Sequence, residues 1–164
     1  MKDLKDKVVV ITGASTGIGA SIALRFAELG SKVVINYNKS KEKAESLVQK
    51  IVENNHHAIA IQGDATIEKD LINLADEAIT KFGEINVFIN NAGGMVERAS
   101  VDKISSQTFQ KVFDLNCLSV MLGTRTALNI FKKQNKGGNI INTTSIAARL
   151  GGSAGAVFYS ASKG

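Results

Sequence analysis

Near the end of the sequence, "YSASK" sets Lys163 four residues after Tyr159. On a helix that spacing stacks the two side chains on one face. A free phenol has a pKa of ~10, and a neighbouring ammonium favours its ionised form. Lowering it by about 3 units would correspond to roughly 4 kcal/mol of differential interaction, part of which one lysine can supply. At the other end of the chain, "TGASTGIG" carries glycines at 13, 17 and 19. It opens the first strand-to-helix connection, where freed backbone N–H groups at a helix start can face phosphate oxygens. Its spacing is GxxxGxG rather than the GxGxxG of the usual dinucleotide fingerprint. A glycine-rich turn that binds nothing is the bland alternative, and the position in the chain favours nucleotide binding. The loop contacts expected for a nucleotide are Gly13, Ser15, Thr16, Gly17, Ile18 and Gly19.

Other chemically suggestive residues also follow strand-like runs. After the second run come Asn36, Tyr37, Asn38 and Lys39, with Ser40 and Lys41 behind them. A carboxylate is the usual ribose partner of an NAD-selective protein, and none stands here. Hydroxyl and ammonium donors replace it, so NADP, or use of both NADP and NAD, is the expected cofactor choice. Alternatively, Lys39 and Lys41 only decorate a helix start. After the third run, "GDAT" places Asp64 and Ala65, and the Asp64 carboxylate suits an adenine amino group and ordinary turn chemistry equally. After the fourth, "NNAGG" ends a buried run in two amides that must find partners. Asn91, Ala92 and Gly93 leave room there for a flat ring against the backbone.

The elements that must position these residues alternate from start to finish. Strands are expected at 7–12, 32–37, 58–61, 85–90 and 139–144, in nearly unbroken apolar runs suited to burial on both faces. Between them, Ala44, Leu47, Val48, Ile51 and Val52 recur at helical spacing behind a cap at Ser40. Leu71, Leu74, Ala75, Ala78, Ile79 and Phe82 do the same behind Thr66, with Gly83 as the stop. The stretch 107–133 reads as one helix, apolar nearly all round between Val112 and Leu122 and therefore sandwiched. Cys117 within it reads as core packing. Strands alternating with helices imply an α/β, three-layer, doubly wound parallel sheet of the Rossmann type. Its five strands are expected in order 3-2-1-4-5, as a single domain over 1–164. Ligands bind such sheets beyond the carboxyl ends of the strands.

Composition is compatible with this. The chain has 164 residues, 44% hydrophobic and 21% charged, and a formal net charge of +5. Its basic residues are interspersed with acids and amides rather than gathered in a stripe, which argues against nucleic acid as a partner. With Cys117 alone, no intrachain disulfide and no zinc-ligand spacing is possible, and no metal is expected. No apolar run reaches the ~20 residues needed to cross a bilayer. "MKDLKDK" leads into the first strand without a signal-like apolar region, so a cytoplasmic setting is expected. His56 and His57 read as surface residues.

Taken together, "TGASTGIG", "GDA", "NNAG", Asn116 in "DLNCLS", Ser145 in "TTSIAA" and "YSASK" resemble the short-chain dehydrogenase/reductase family. "VVVITGASTGIG" and "VVINYNKSKEKAE" are most similar to its branch of bacterial glucose 1-dehydrogenases and 3-oxoacyl-carrier-protein reductases. The resemblance implies an NAD(P)-dependent oxidoreductase that moves a hydride between nicotinamide and a carbonyl or secondary alcohol. It implies Tyr159 as general acid/base, Lys163 as its partner and as a ligand of the nicotinamide ribose, and Ser145 as the group orienting the reacting oxygen. Asn116 would hold a relay water. Tyr159 and Lys163 thereby belong to both the catalytic and the cofactor-binding set. A small-molecule carbonyl or alcohol is the implied partner, and a homodimer or homotetramer the implied assembly of a full-length chain. Sugar, acyl thioester and steroid stay open as substrates. A non-catalytic nucleotide-binding module is the alternative, although it would have no need of Tyr159.

Two departures bear on these expectations. Ser145 and Tyr159 are fourteen residues apart, with "RLGGSAGAV" between them expected as a flexible cleft wall. The helix carrying Tyr159 has about eight residues before Gly164, below the ~12–15 at which an isolated helix is even marginal. The fifth strand is expected to be an unpaired edge, as in an N-terminal part of a family chain lacking its last strand and helices. On that reading a longer parent turns over substrate, whereas the 164 residues alone would bind cofactor weakly at best and give no useful turnover, because the helix carrying Tyr159 would fray. An inactive truncated remnant is a further alternative.

Overall fold

The computed structural model describes residues 4–164; Met1–Asp3, the start of the opening run, lie outside them. Five strands, β1 (Val8–Ile11), β2 (Lys32–Tyr37), β3 (His57–Gln62), β4 (Val87–Asn90) and β5 (Asn139–Asn142), form one parallel sheet. Their order is β3-β2-β1-β4-β5, as expected. Val10 pairs with Val34 on one side and Phe88 on the other, so β1 lies at the centre.

The all-apolar "VVVI" of β1 has a direct cause. Successive side chains of a strand point to opposite faces, and here both faces are covered. Val8 and Val10 join Val34 and Phe88 beneath α3 (Glu68–Phe82) and α5 (Ser119–Lys133). Val9 and Ile11 join Val33, Ile35 and Ile89 beneath α1 (Gly17–Glu28) and α2 (Lys41–Glu53). Burial on both faces holds for β1, β4 and all of β2 but Lys32, and not for β5, where Ile141 is 45% exposed. The strand pairs only with β4 among the described residues, and its flanking Asn139 and Asn142 are polar accordingly.

Several boundaries move for identifiable reasons. The α3 cap is not Thr66, whose hydroxyl donates to Asp64 instead; the helix starts after Ile67. Ser40 precedes α2 without a side-chain capping bond. Gly83 ends α3 at φ +89°, as expected. The stretch 107–133 is α4 (Ser106–Phe113) and α5 joined by a π-helical turn, Asp114–Leu118. It is amphipathic rather than sandwiched: Leu122, Ala127 and Ile130 are buried while Met121 and Leu128 are exposed. The π turn also corrects the reading of Cys117, which is exposed while the preceding Asn116 is buried. Two short helices, α6 (Ala147–Leu150) and α7 (Val157–Ser162), complete the described chain. None of its helices is long and apolar enough to cross a membrane.

Candidate active site at the carboxyl ends of the strands

β2 and β4 leave β1 toward opposite edges of the sheet, and the crevice beyond that switch point is the ligand position in such sheets. A cleft of about 530 Å³ occupies it. The glycine-rich loop forms one wall, with Gly13, Ser15, Thr16, Gly17, Ile18 and Gly19 all lining it. Gly13 and Gly17 hold φ of +61° and +58°, values that L side chains rarely adopt. Gly19 serves packing: a Cβ there would stand 2.8 Å from the Gly13 carbonyl oxygen and 2.9 Å from the Ala14 Cα.

Long-range amides hold the loop in place. Asn36 Oδ1 accepts the Gly13 N–H at 3.1 Å, while its Nδ2 donates to the Gly63 carbonyl at 2.9 Å. Asn91 Nδ2 donates to the carbonyls of Thr12 and Gly13 at 2.9 and 3.1 Å. Thr12 Oγ1 in turn accepts the N–H groups of Asn91 and Ala92, each at 3.0 Å. Asn36 and Asn91 thus line the cleft while their side chains bind protein. Thr12 is the residue that sequence reasoning missed. A hydroxyl amid a buried apolar run was the available signal, since such a group requires partners.

At the adenosine end, Asn38, Lys39, Asp64 and Ala65 line the cleft. Tyr37 does not; its side chain is buried in the core on the α1–α2 side of the sheet. The strand end carries no carboxylate, as read from sequence, yet the fold brings Asp64 there from β3. Its Oδ2 accepts Asn38 Nδ2 at 2.8 Å, and Oδ1 accepts the Thr66 N–H and hydroxyl at 2.9 and 2.7 Å. Partial burial raises the Asp64 pKa, but these bonds outweigh it and hold the carboxyl below its ordinary range. Turn chemistry therefore occupies Asp64, with the carboxylate still at the cleft.

On the opposite wall stand Tyr159, half-buried, and Lys163 directly after α7. Lys163 Nζ donates to the Thr143 carbonyl at 3.0 Å, and Thr144 Oγ1 donates to the Lys163 carbonyl. Gly93 is the floor between the walls. A Cβ on it would meet Lys163 Nζ at 2.7 Å and Asn116 Oδ1 at 2.8 Å. Asn116 is buried, and its amide bonds to protein. Oδ1 accepts the Gly94 N–H at 3.0 Å, and Nδ2 donates to the carbonyls of Gly94 and Val112 at 2.8 and 2.9 Å. One Oδ1 lone pair is left for water. Ser145 also differs from its reading. β5 ends three residues earlier, and Ser145 Oγ accepts the Ala147 N–H at 3.2 Å beside α6, off the cleft lining. Its hydroxyl proton remains available to an acceptor.

Burial pulls the Lys163 ammonium below the ordinary lysine pKa of 10.5, while the nearby Cys117 thiol acts in the opposite sense. The sign of the stability effect follows. Below its folded pKa, Lys163 is charged in both states, and the cost of burying the ammonium is fully present. Between the lowered value and 10.5 only the unfolded chain keeps the proton, so stability rises with pH across that window. Denaturation midpoints through the alkaline range should accordingly rise for the parent relative to Lys163→Met. A pH-independent difference would remove the buried charge from the account.

The sequence model described as short chain dehydrogenase matches residues 7–164. The chain belongs to this family. It is 34% identical to glucose 1-dehydrogenase 2 of Bacillus subtilis over 99% of its own length and 63% of that protein. It is 37% identical to the 3-oxoacyl-[acyl-carrier-protein] reductase of Synechocystis over 99% of its length and 65% of that protein. The chain therefore spans just under two thirds of the length of these curated relatives. Among solved structures, the NADH-dependent reductase A1-R′ complexed with NAD superimposes with a TM-score of 0.89 at 34% identity, covering 99% of this chain and 69% of that one.

Proposed function

We propose that the protein moves a hydride between a nicotinamide cofactor and a carbonyl or secondary-alcohol substrate of the sugar or 3-oxoacyl type. The observation that carries this reading is the placement of Tyr159 and Lys163 on the cleft wall facing the glycine-rich loop, with only a glycine between Lys163 and Asn116. When bound, the cofactor supplies or accepts the hydride at its nicotinamide C4.

The chain's own residues do the rest. N–H groups at the start of α1 would hold the pyrophosphate, where the helix dipole favours negative charge. Ala92 and Gly93, which line the cleft, would hold the nicotinamide. Tyr159 donates its phenolic proton to the substrate oxygen in reduction and removes a proton from the alcohol in oxidation. Lys163 stabilises the phenolate and reaches the ribose. Ser145 donates its hydroxyl proton to the same substrate oxygen, a step that requires its short turn to lean toward the cleft. Asn116 keeps Gly94, and with it the floor, in register.

For the cofactor we propose NADP, or acceptance of both NADP and NAD. Lys39 supplies a cation and Asn38 and Ser40 supply donors at the adenosine end, and these favour a 2′-phosphate against the opposing charge of Asp64. Met121 and Leu128, exposed on α5, support a dimer or tetramer of the full-length protein. The test follows reduced cofactor by absorbance in both directions: consumption of NADPH and of NADH with 3-oxoacyl thioesters and 3-oxosteroids, and their formation from NADP and NAD with aldoses. KM for NADPH is expected at or below KM for NADH. A strong preference for NADH overturns the cofactor choice, and no turnover with either cofactor overturns the oxidoreductase reading.

A further inference from the structure

The connection from β4 to α4 contains an unusual turn. Val96 holds φ of +61°, and the Glu97 N–H donates back to the Met95 carbonyl at 2.7 Å. That is a γ-turn of the positive-φ kind, which is rare for any residue and strained for a β-branched one. Such a conformation persists where its surroundings over-determine it. On the near side, Asn116 grips both the N–H and the carbonyl of Gly94. On the far side, Glu97 Oε2 accepts the Thr108 hydroxyl at 3.0 Å. The next residue, Arg98, reaches across to the segment before α7, where its Nη1 donates to Ser153 Oγ at 2.7 Å and to the Ala154 carbonyl at 2.9 Å.

The segment Arg98 grips is short of internal constraint. Gly151, Gly152 and Gly155 hold φ of +75°, +73° and +76°. Gly155 lies close enough to the other loop that a Cβ on it would stand 2.9 Å from Arg98 Cγ and 3.2 Å from the Ala99 nitrogen. Two residues later α7 begins, and Tyr159 stands in its first turn. Phe158 packs edge-on against Phe109 of α4, with ring centroids 5.1 Å apart. The catalytic wall is thus tied to the β4–α4 region at two points, an aromatic contact on the helix and a cationic one on the loop before it. The cationic one is solvent-exposed, and its donor is a planar fork suited to gripping two acceptors at once.

We propose that Arg98 is a positioning residue: it latches the 151–155 segment to the strained 95–99 turn and so sets where α7 presents Tyr159. The kinetic part of this proposal rests on the oxidoreductase reading, and the structural part does not. Opening the latch frees a glycine-rich segment at the substrate side of the cleft, while the nucleotide side, built on Thr12, Asn36 and Asn91, is untouched. Cofactor affinity and substrate turnover should therefore separate.

The test uses the full chain carrying Arg98→Ala, Arg98→Lys and Ser153→Ala. In Arg98→Ala, hydrogen exchange at amides 151–160 should accelerate by about tenfold or more, with β1 and α1 unchanged. The same variant should raise the KM for the carbonyl substrate and lower kcat by about tenfold, because small displacements of reacting groups are costly, while the Kd for reduced cofactor rises by much less, since Lys163 is the one cofactor contact that moves with α7. Arg98→Lys, which keeps one cation, should recover part of both effects, and Ser153→Ala should fall between it and the parent. Unchanged exchange at 151–160 in Arg98→Ala overturns the latch. Equal losses in cofactor Kd and in turnover overturn it as well, since they would mean a general structural role. If the parent reduces no carbonyl at all, the oxidoreductase reading fails by itself, and the exchange measurement still decides the latch.

Discussion

Replacing Tyr159 by Phe should lower kcat by about 10²–10⁴-fold, the range that loss of a positioned general acid and base produces. The substitution removes one oxygen from a half-buried side chain on the cleft wall, so packing of α7 against Phe109 through Phe158 is preserved. Cofactor affinity should change little, because Gly13 and Ala92 are held by bonds to Asn36, Asn91 and Thr12 rather than to the phenol. Single-turnover kinetics and fluorescence titration of reduced cofactor measure the two quantities separately. A variant that retains parental kcat would mean that the proton comes from elsewhere, and the proposed chemistry would have to be abandoned.

Thr12→Val is the second large effect, and it acts on the scaffold. Valine matches threonine in shape but removes the single oxygen that accepts the N–H groups of both Asn91 and Ala92. An unsatisfied donor costs about 1–3 kcal/mol, and because these two groups are half-buried we expect about 2–3 kcal/mol in total. That is a large share of the roughly 5–15 kcal/mol that stabilises a typical domain. The loss should also reach the cofactor loop, since Asn91 carries the bonds to the carbonyls of Thr12 and Gly13. Urea midpoints and cofactor titration should show both effects, and Thr12→Ser, which keeps the oxygen, should restore most of each. An unchanged midpoint in Thr12→Val would show that water replaces the hydroxyl, and the clamp would then carry no weight.

The site was legible in unequal parts. Glycines at 13 and 17 were readable because their reason is local: each occupies a backbone conformation that most residues avoid, whatever surrounds it. Tyr159 and Lys163 were readable from their spacing, and both do line the cleft. Asn36 and Asn91 lie where the sequence put them, but their work is different, because an amide's role is set by the partner it meets. For Asn36 the partners are 23 and 27 residues away, and for Asn91 they are 78 and 79 away. Tyr37 alternated out of the cleft and into the core, a consequence of the twofold period of β2 that a list of loop residues overlooks. Ser145 was placed at the end of a strand that stops at Asn142.

The order of elements, the burial of the central strands on both faces, the glycine-rich bend and the four-residue spacing of Tyr159 and Lys163 were determined by the sequence itself. Each depends on preferences within a few neighbouring residues, so each is written locally. Tertiary structure decided which strand became an exposed edge and where the π turn divides the long helix. It also brought the Asp64 carboxylate beside Asn38 and joined Arg98 to a loop 55 residues further on. Those outcomes depend on which distant surface remains to satisfy a donor, an acceptor or an apolar face. That is settled only when all the layers have packed, because burial and hydrogen-bond partners are properties of the assembled sheet rather than of any segment in it.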